Sequence, residues 1–150
     1  MTRDTAREMA VQIVFGLTHG VSDTSSFLDD FFSDEHFPSM AQESELFSEK
    51  PEGEALSYIR QVVFGVDGHR DEIDGYIQRY SSSAWDINRI SGTALAVLRV
   101  AVFEILYLDD VPAPAAINSA VEIDKGYDEP ETVAFVNGVL GGFVRGESKV

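Results

Sequence analysis

From Gly92 to Leu108 the chain carries two charges, Arg99 and Glu104, and is otherwise apolar on nearly every side. A helix with that pattern has to be enclosed by other elements, so the rest of the chain must wrap it. It falls short of the roughly 20 apolar residues that span a bilayer, and no other apolar run comes closer. With 44 % hydrophobic residues, ten Phe among them, the 150-residue chain can supply the wrapping. A chain of this size buries roughly two-thirds of its unfolded surface in one domain. The absence of cysteine excludes disulfides, thiolate metal sites and cysteine nucleophiles. Met1-Thr2-Arg3-Asp4 has no apolar signal core, and a cytoplasmic location is expected.

The remaining apolar residues recur at helical spacing, and no alternating strand pattern of useful length is found. Ala6, Met9, Ala10, Ile13, Val14 and Leu17 form one stripe on a first helix over about 4–19, which Gly20 stops. Thr24 to Phe32 fits a short helix with Phe27, Leu28, Phe31 and Phe32 as its apolar face. Further helices are predicted over about 54–66, 69–80, 92–108, 114–125 and 130–145. Pro114 and Pro130 suit first helical positions, and Gly126 suits a stop. The reading is an all-α chain, a compact bundle of six or seven helices. Short connections between the later helices favour antiparallel packing.

Twenty-six acids against eleven Lys and Arg give a net charge of −15. Such a surface repels nucleic acid at long range and attracts basic partners, so any polyanion site must be a local patch. Ten of the acids lie between Asp23 and Glu54, with Lys50 as the single base there. Within that stretch, residues 33–53 read as a long, mobile acidic connection in which Phe37, Leu46 and Phe47 are able to dock.

Signals for catalysis are poor. His19, His36 and His69 are isolated, and neither phosphate-loop nor dinucleotide glycine motifs occur. Acid pairs such as Asp29-Asp30 and Asp109-Asp110 read as solvated surface, and neither a metal nor another cofactor is expected. Two off-stripe aromatics say more. Phe15 points some 170° from the middle of the first helix's stripe, on the side of Glu8 and Gln12. Phe135 points roughly 130° from the stripe of Val133, Val136, Leu140, Phe143 and Val144, on the side of Glu131, Gly138 and Gly142. An outward Phe means either a binding surface or a second packing layer. Arg3 and Arg7, one turn apart at the edge of the first stripe, oppose their helix dipole. Either an anion partner or Asp4 and Glu8 balances them. Arg99, inside the most apolar helix, needs a partner, which is either a structural acid or a phosphate.

Several blocks, in order, resemble the NusB transcription-antitermination family. They are Ala6-Arg7-Glu8-Met9-Ala10-Val11-Gln12-Ile13-Val14-Phe15; Trp85 to Ile90 with Leu98-Arg99-Val100-Ala101-Val102-Phe103-Glu104; Asp110-Val111-Pro112; Ala116-Ile117-Asn118-Ser119-Ala120-Val121-Glu122; and Phe135-Val136-Asn137-Gly138-Val139-Leu140. Together they cover about half the chain. The resemblance implies two small helical subdomains around a central helix and no enzymatic activity. It implies binding of boxA-like RNA of nascent ribosomal-RNA transcripts together with the ribosomal protein NusE, within an antitermination complex on RNA polymerase. Some members are homodimers. It further implies an RNA-binding set of Arg3, Arg7, Gln12, Phe15, Tyr80, Arg99, Glu131 and Phe135. Asn137 and Gly138 would be structural, an amide satisfying backbone groups and a site of close helix packing. The alternatives are an acidic protein-interaction module with little RNA binding, or a stand-alone relative of the NusB-like domain of ribosomal-RNA cytosine methyltransferases.

Overall fold

The computed structural model describes residues 1–17, 23–82 and 89–147. The expected stop at Gly20, His19, and the Trp85–Asn88 part of the second block lie outside these residues. Among them are eight α-helices: α1 (Arg3–Leu17), α2 (Thr24–Phe31), α3 (Phe37–Ala41), α4 (Gly53–Gly68), α5 (Arg70–Tyr80), α6 (Gly92–Tyr107), α7 (Ala113–Lys125) and α8 (Pro130–Gly146). A 3-10 turn covers Glu45–Phe47. No strand occurs among the described residues, and no helix there is long and apolar enough to cross a membrane.

The helix that sequence periodicity misses is α3. Its five residues are too few to show a period, and Pro38 occupies a starting position where a missing N–H costs nothing. The segment read as a connection is tied down by aromatics. Phe37 and Phe47 are buried, and their rings meet edge-on at 6.0 Å. Phe47 also meets Phe31 at 5.7 Å, and Phe37 meets Phe32 at 5.9 Å. Aromatic pairs at these separations add to the area they bury. The acids of this stretch stay at the surface while the phenylalanines between them turn inward.

Every residue of α6 from Ala96 to Glu104 is buried. The helix packs against α1 and α4 on one side, and against α5, α7 and α8 on the other. α1 also packs on α4, and α7 and α5 pack on α8, so two groups of helices share one central rod. That is the two-part arrangement implied by the resemblance. The central rod brings Arg99 and Glu104 into the interior with it, and each must find its counter-charge there.

Candidate nucleic-acid interface

The two charges on α6 are each answered by a long-range partner. Arg7, on α1, is 5 % exposed and forks onto Glu104, donating from Nε at 2.7 Å and from Nη2 at 2.9 Å. Its Nη1 donates to Asp4 at 2.6 Å. Burial works against the Arg7 charge, but the hydrogen bond and charge of Glu104 more than reverse this, so its pKa lies above the ordinary value. The Tyr58 ring covers the same pair. Burial, and then the charge of Glu104, push its hydroxyl pKa upward. Arg99 is 6 % exposed and forks onto Asp74 of α5, from Nε at 2.8 Å and Nη2 at 2.9 Å.

Two of the arginines that the resemblance places in the RNA-binding set are therefore interior residues in the structure. Arg7 sits at the edge of its helix stripe, and that edge faces Glu104 rather than water. For Arg99, of the two partners left open by the sequence, the structural acid is the one present. Arg3 remains at the surface, with its side chain 44 % exposed. Its guanidinium lies 4.4 Å from the Tyr58 ring centre and 3.4 Å from Asp110. Twelve residues of helix, about 18 Å, separate Arg3 from Phe15.

The other end of α1 is built differently. Phe15 is half-buried, with its ring lying over the first residue of α6. A Cβ at Gly92 would stand 2.7 Å from Phe15 Cε1, so only glycine permits this approach. Ser91 caps α6 by accepting from the Ala94 N–H at 3.0 Å, and its hydroxyl donates to Asp128 at 3.0 Å. Next to Asp128, Tyr127 returns to α1. Gln12 donates to the Tyr127 hydroxyl at 2.7 Å, and that hydroxyl donates to Glu8 at 2.6 Å. Burial, then the bond to Glu8, push the Tyr127 hydroxyl up to about 12.

Gln12, Phe15, the start of α6 and the 126–129 turn thus form one connected patch. α8 begins immediately after that turn and carries Glu131, exposed, and Phe135, half-buried. One helical face runs from these two residues through Gly138 to Gly142. Tyr80, from the end of α5, lies over the far part of that face. It stands 3.4 Å from where a Gly142 Cβ would be and leaves no room for one at Gly146. The Tyr80 hydroxyl donates to Glu147, and that bond, with burial second, raises its pKa.

Gly138 lies between Phe135 and Tyr80 along the face. It is exposed, with nothing within 4 Å of a would-be Cβ, so close helix packing is not its role. Asn137 is exposed as well, against the expectation of a structural amide. The contacts join Gln12 and Phe15 through the 126–129 turn and the start of α6, and separately join Tyr80 to the α8 face that carries Glu131 and Phe135. Arg3 stands at the opposite end of α1. Tyr127, Ser91 and Asp128 hold the patch together but carry no periodic signal, since they lie in turns and caps. Glu104 was open to the same reasoning as Arg99, being the other charge in an apolar helix, and Arg7 follows once Glu104 is asked for a partner.

Comparison with known proteins adds an independent line. The NusB family model matches residues 4–145. The transcription antitermination protein NusB of Myxococcus xanthus is 38 % identical over 138 residues, covering 92 % of this chain and 91 % of that protein. The protein of the same name from Clostridium botulinum is 32 % identical over 145 residues, covering 97 % of this chain and 99 % of that one. Among solved structures, T. maritima NusB superposes with a TM-score of 0.77 at 25 % identity, covering 97 % of this chain and 92 % of that chain. The complex of antitermination factors NusB and NusE with dsRNA gives a TM-score of 0.76 at 20 % identity, with 97 % of each chain covered, which is a likeness of fold.

Proposed function

This chain belongs to the NusB family, and from that premise we propose that it is a transcription antitermination factor that binds boxA-like single-stranded RNA together with NusE. The observation that carries the proposal is the connected patch of Gln12, Phe15, the capped start of α6 and the 126–129 turn, continued along α8 by Glu131, Phe135 and Tyr80. It supplies aromatic edges and polar hydrogen-bonding groups along one surface. Single-stranded RNA is held in this way, with unstacked bases against aromatic side chains and polar groups on base edges. Arg3 is the phosphate contact of this reading. Arg7 and Arg99 act behind the surface, by fixing α1 and α5 on the central helix. The protein works as a binder in the cytoplasm, and no catalytic step is assigned to it.

The overall charge determines how such a site operates. At −15 the chain supplies little general attraction for RNA, so its own affinity is modest and sensitive to salt. A basic ribosomal protein complements the acidic surface and brings phosphate contacts of its own. The test is fluorescence anisotropy of a boxA-like RNA titrated with the chain alone and with equimolar NusE, across a salt series. The pair binds far more tightly than the chain alone, and Arg3→Ala lowers the salt slope of the pair by about one. Equal binding with and without NusE overturns the joint-recognition reading.

A further inference from the structure

Among the described residues, Asp124 is the one acid besides Glu104 that is completely buried, and the two are treated in opposite ways. It lies in the last turn of α7 with no exposed surface. Neither of its carboxylate oxygens has a hydrogen-bond partner. An ionised carboxylate in that position is opposed twice, by the loss of water and by the negative end of its own helix dipole. What faces it is another acid. Asp128 follows four residues later, its N–H donating to the Asp124 carbonyl at 2.9 Å, and its carboxyl accepting from Ser91. The other charged or titratable groups of the corner are engaged or turned to water. On α7, Lys125 pairs with Glu122 at 2.7 Å. On the turn, the Tyr127 hydroxyl is bonded to Glu8 of α1, and Glu129 is exposed. Arg89, ahead of α6, is exposed and engaged in an interaction of its own, and Glu131, on α8, is exposed.

We propose that Asp124 and Asp128 share one proton at neutral pH, Asp124 donating it to Asp128, and that this proton holds the α7–α8 corner beneath the candidate RNA face. A single proton turns one of two mutually repelling acceptors into the donor that the corner lacks. The affinity of the buried acid for that proton agrees with the geometry. Burial first, and then the neighbouring Asp128 carboxyl, push the Asp124 carboxyl up to about 7. When the proton leaves, two adjacent negative charges strain the turn whose Tyr127 ties down α1 and whose Asp128 ties down the cap of α6. The consequence for RNA rests on the function proposed above; the shared proton does not.

The experiment is a pH titration of the full chain labelled with carbon-13, following the aspartate side-chain carboxyl resonances from pH 4 to 9. One aspartate titrates near pH 7, and Asp124→Asn, whose amide still donates to Asp128, removes that step. Because the folded chain holds this proton more tightly than the unfolded one, wild-type stability falls relative to Asp124→Asn as pH rises from about 4 to about 7 and is level above. Should Asp124→Asn fail to fold, Asp128→Asn serves instead. Its amide donates to Asp124 and lowers the neutral titration, leaving the part of the rise that burial causes. Aspartates that all titrate below pH 5 overturn the proposal, as do wild-type and Asp124→Asn melting curves that stay parallel at every pH.

A separate arm uses a boxA-like RNA with NusE at fixed salt. Wild-type affinity weakens several-fold between pH 6 and 8, whereas Asp124→Asn holds its affinity. Identical pH dependence in both, with the carboxyl titration intact, overturns the link between the corner and the RNA face. Failure of both proteins to bind RNA at any pH overturns the functional reading and leaves the shared proton standing.

Discussion

At its first turns, α1 carries two arginines and acids that answer them; at its last turn it carries a phenylalanine resting on a glycine. Arg7 is closed into a fork with Glu104 and a further contact with Asp4. Phe15 is held by shape against Gly92, and Gln12 beside it by one tyrosine hydroxyl. The basic end resembles a polyanion site in sequence, yet one of its two arginines is spent inside the molecule. The aromatic end keeps partly exposed side chains on a firmly capped framework. The difference teaches that a positive residue in an acidic protein is more readily consumed by the fold than left for a ligand. A binding surface here depends more on stacking and hydrogen bonding than on its own field.

The comparison is broken most severely by removing one partner of the buried fork. Glu104→Gln takes from Arg7 its buried counter-charge, leaving only the exposed Asp4, and costs about 3–5 kcal/mol of stability, read as a lowered urea midpoint. If the basic end were an RNA site first, the same substitution would change RNA binding and spare folding. At the aromatic end the expectation reverses. Phe135→Ala weakens binding of the NusE-assisted RNA complex by about 1–3 kcal/mol in anisotropy titrations, the worth of one stacked base. An unchanged affinity would assign Phe135 to packing alone.

The smallest effect belongs to Tyr127. Its hydroxyl pKa is about 12 in the folded chain against an ordinary 10.0, so the native state holds that proton more tightly. The stability this confers is present below pH 10 and is lost as pH rises to about 12. Tyr127→Phe lacks that loss. Its alkaline melting curve is therefore shallower than wild type between these limits, and parallel curves would show that the hydroxyl does not link α1 to the turn.

The central helix was legible because its apolar residues leave no polar face at all, a pattern with few structural solutions. The later helices were legible because proline and glycine mark their ends at Pro114, Gly126 and Pro130. Helix α3 was not, since five residues carry no period. Direction also proved easier to read than depth. A helical wheel places Phe15 and Phe135 away from the stripe, and both are half-buried rather than solvent-facing. The same wheel puts Arg7 at the stripe's edge, but its partner Glu104 lies 97 residues away, and no local pattern announces a contact of that separation. The turn from Gly126 to Glu129 escaped notice for a related reason: its importance lies in what it touches, namely Gln12, Glu8 and Ser91, and not in its own composition.

The unbroken burial of α6 from Ala96 to Glu104 has a consequence for how this molecule can change over time. A rod gripped on all sides has no idle position at which a substitution passes unnoticed. Each of its side chains must suit neighbours from one group of helices or the other, and the Phe103 ring also needs the gap left by Gly65. Neither half can drift in shape unless the shared axle drifts with it, so the two halves are obliged to evolve together.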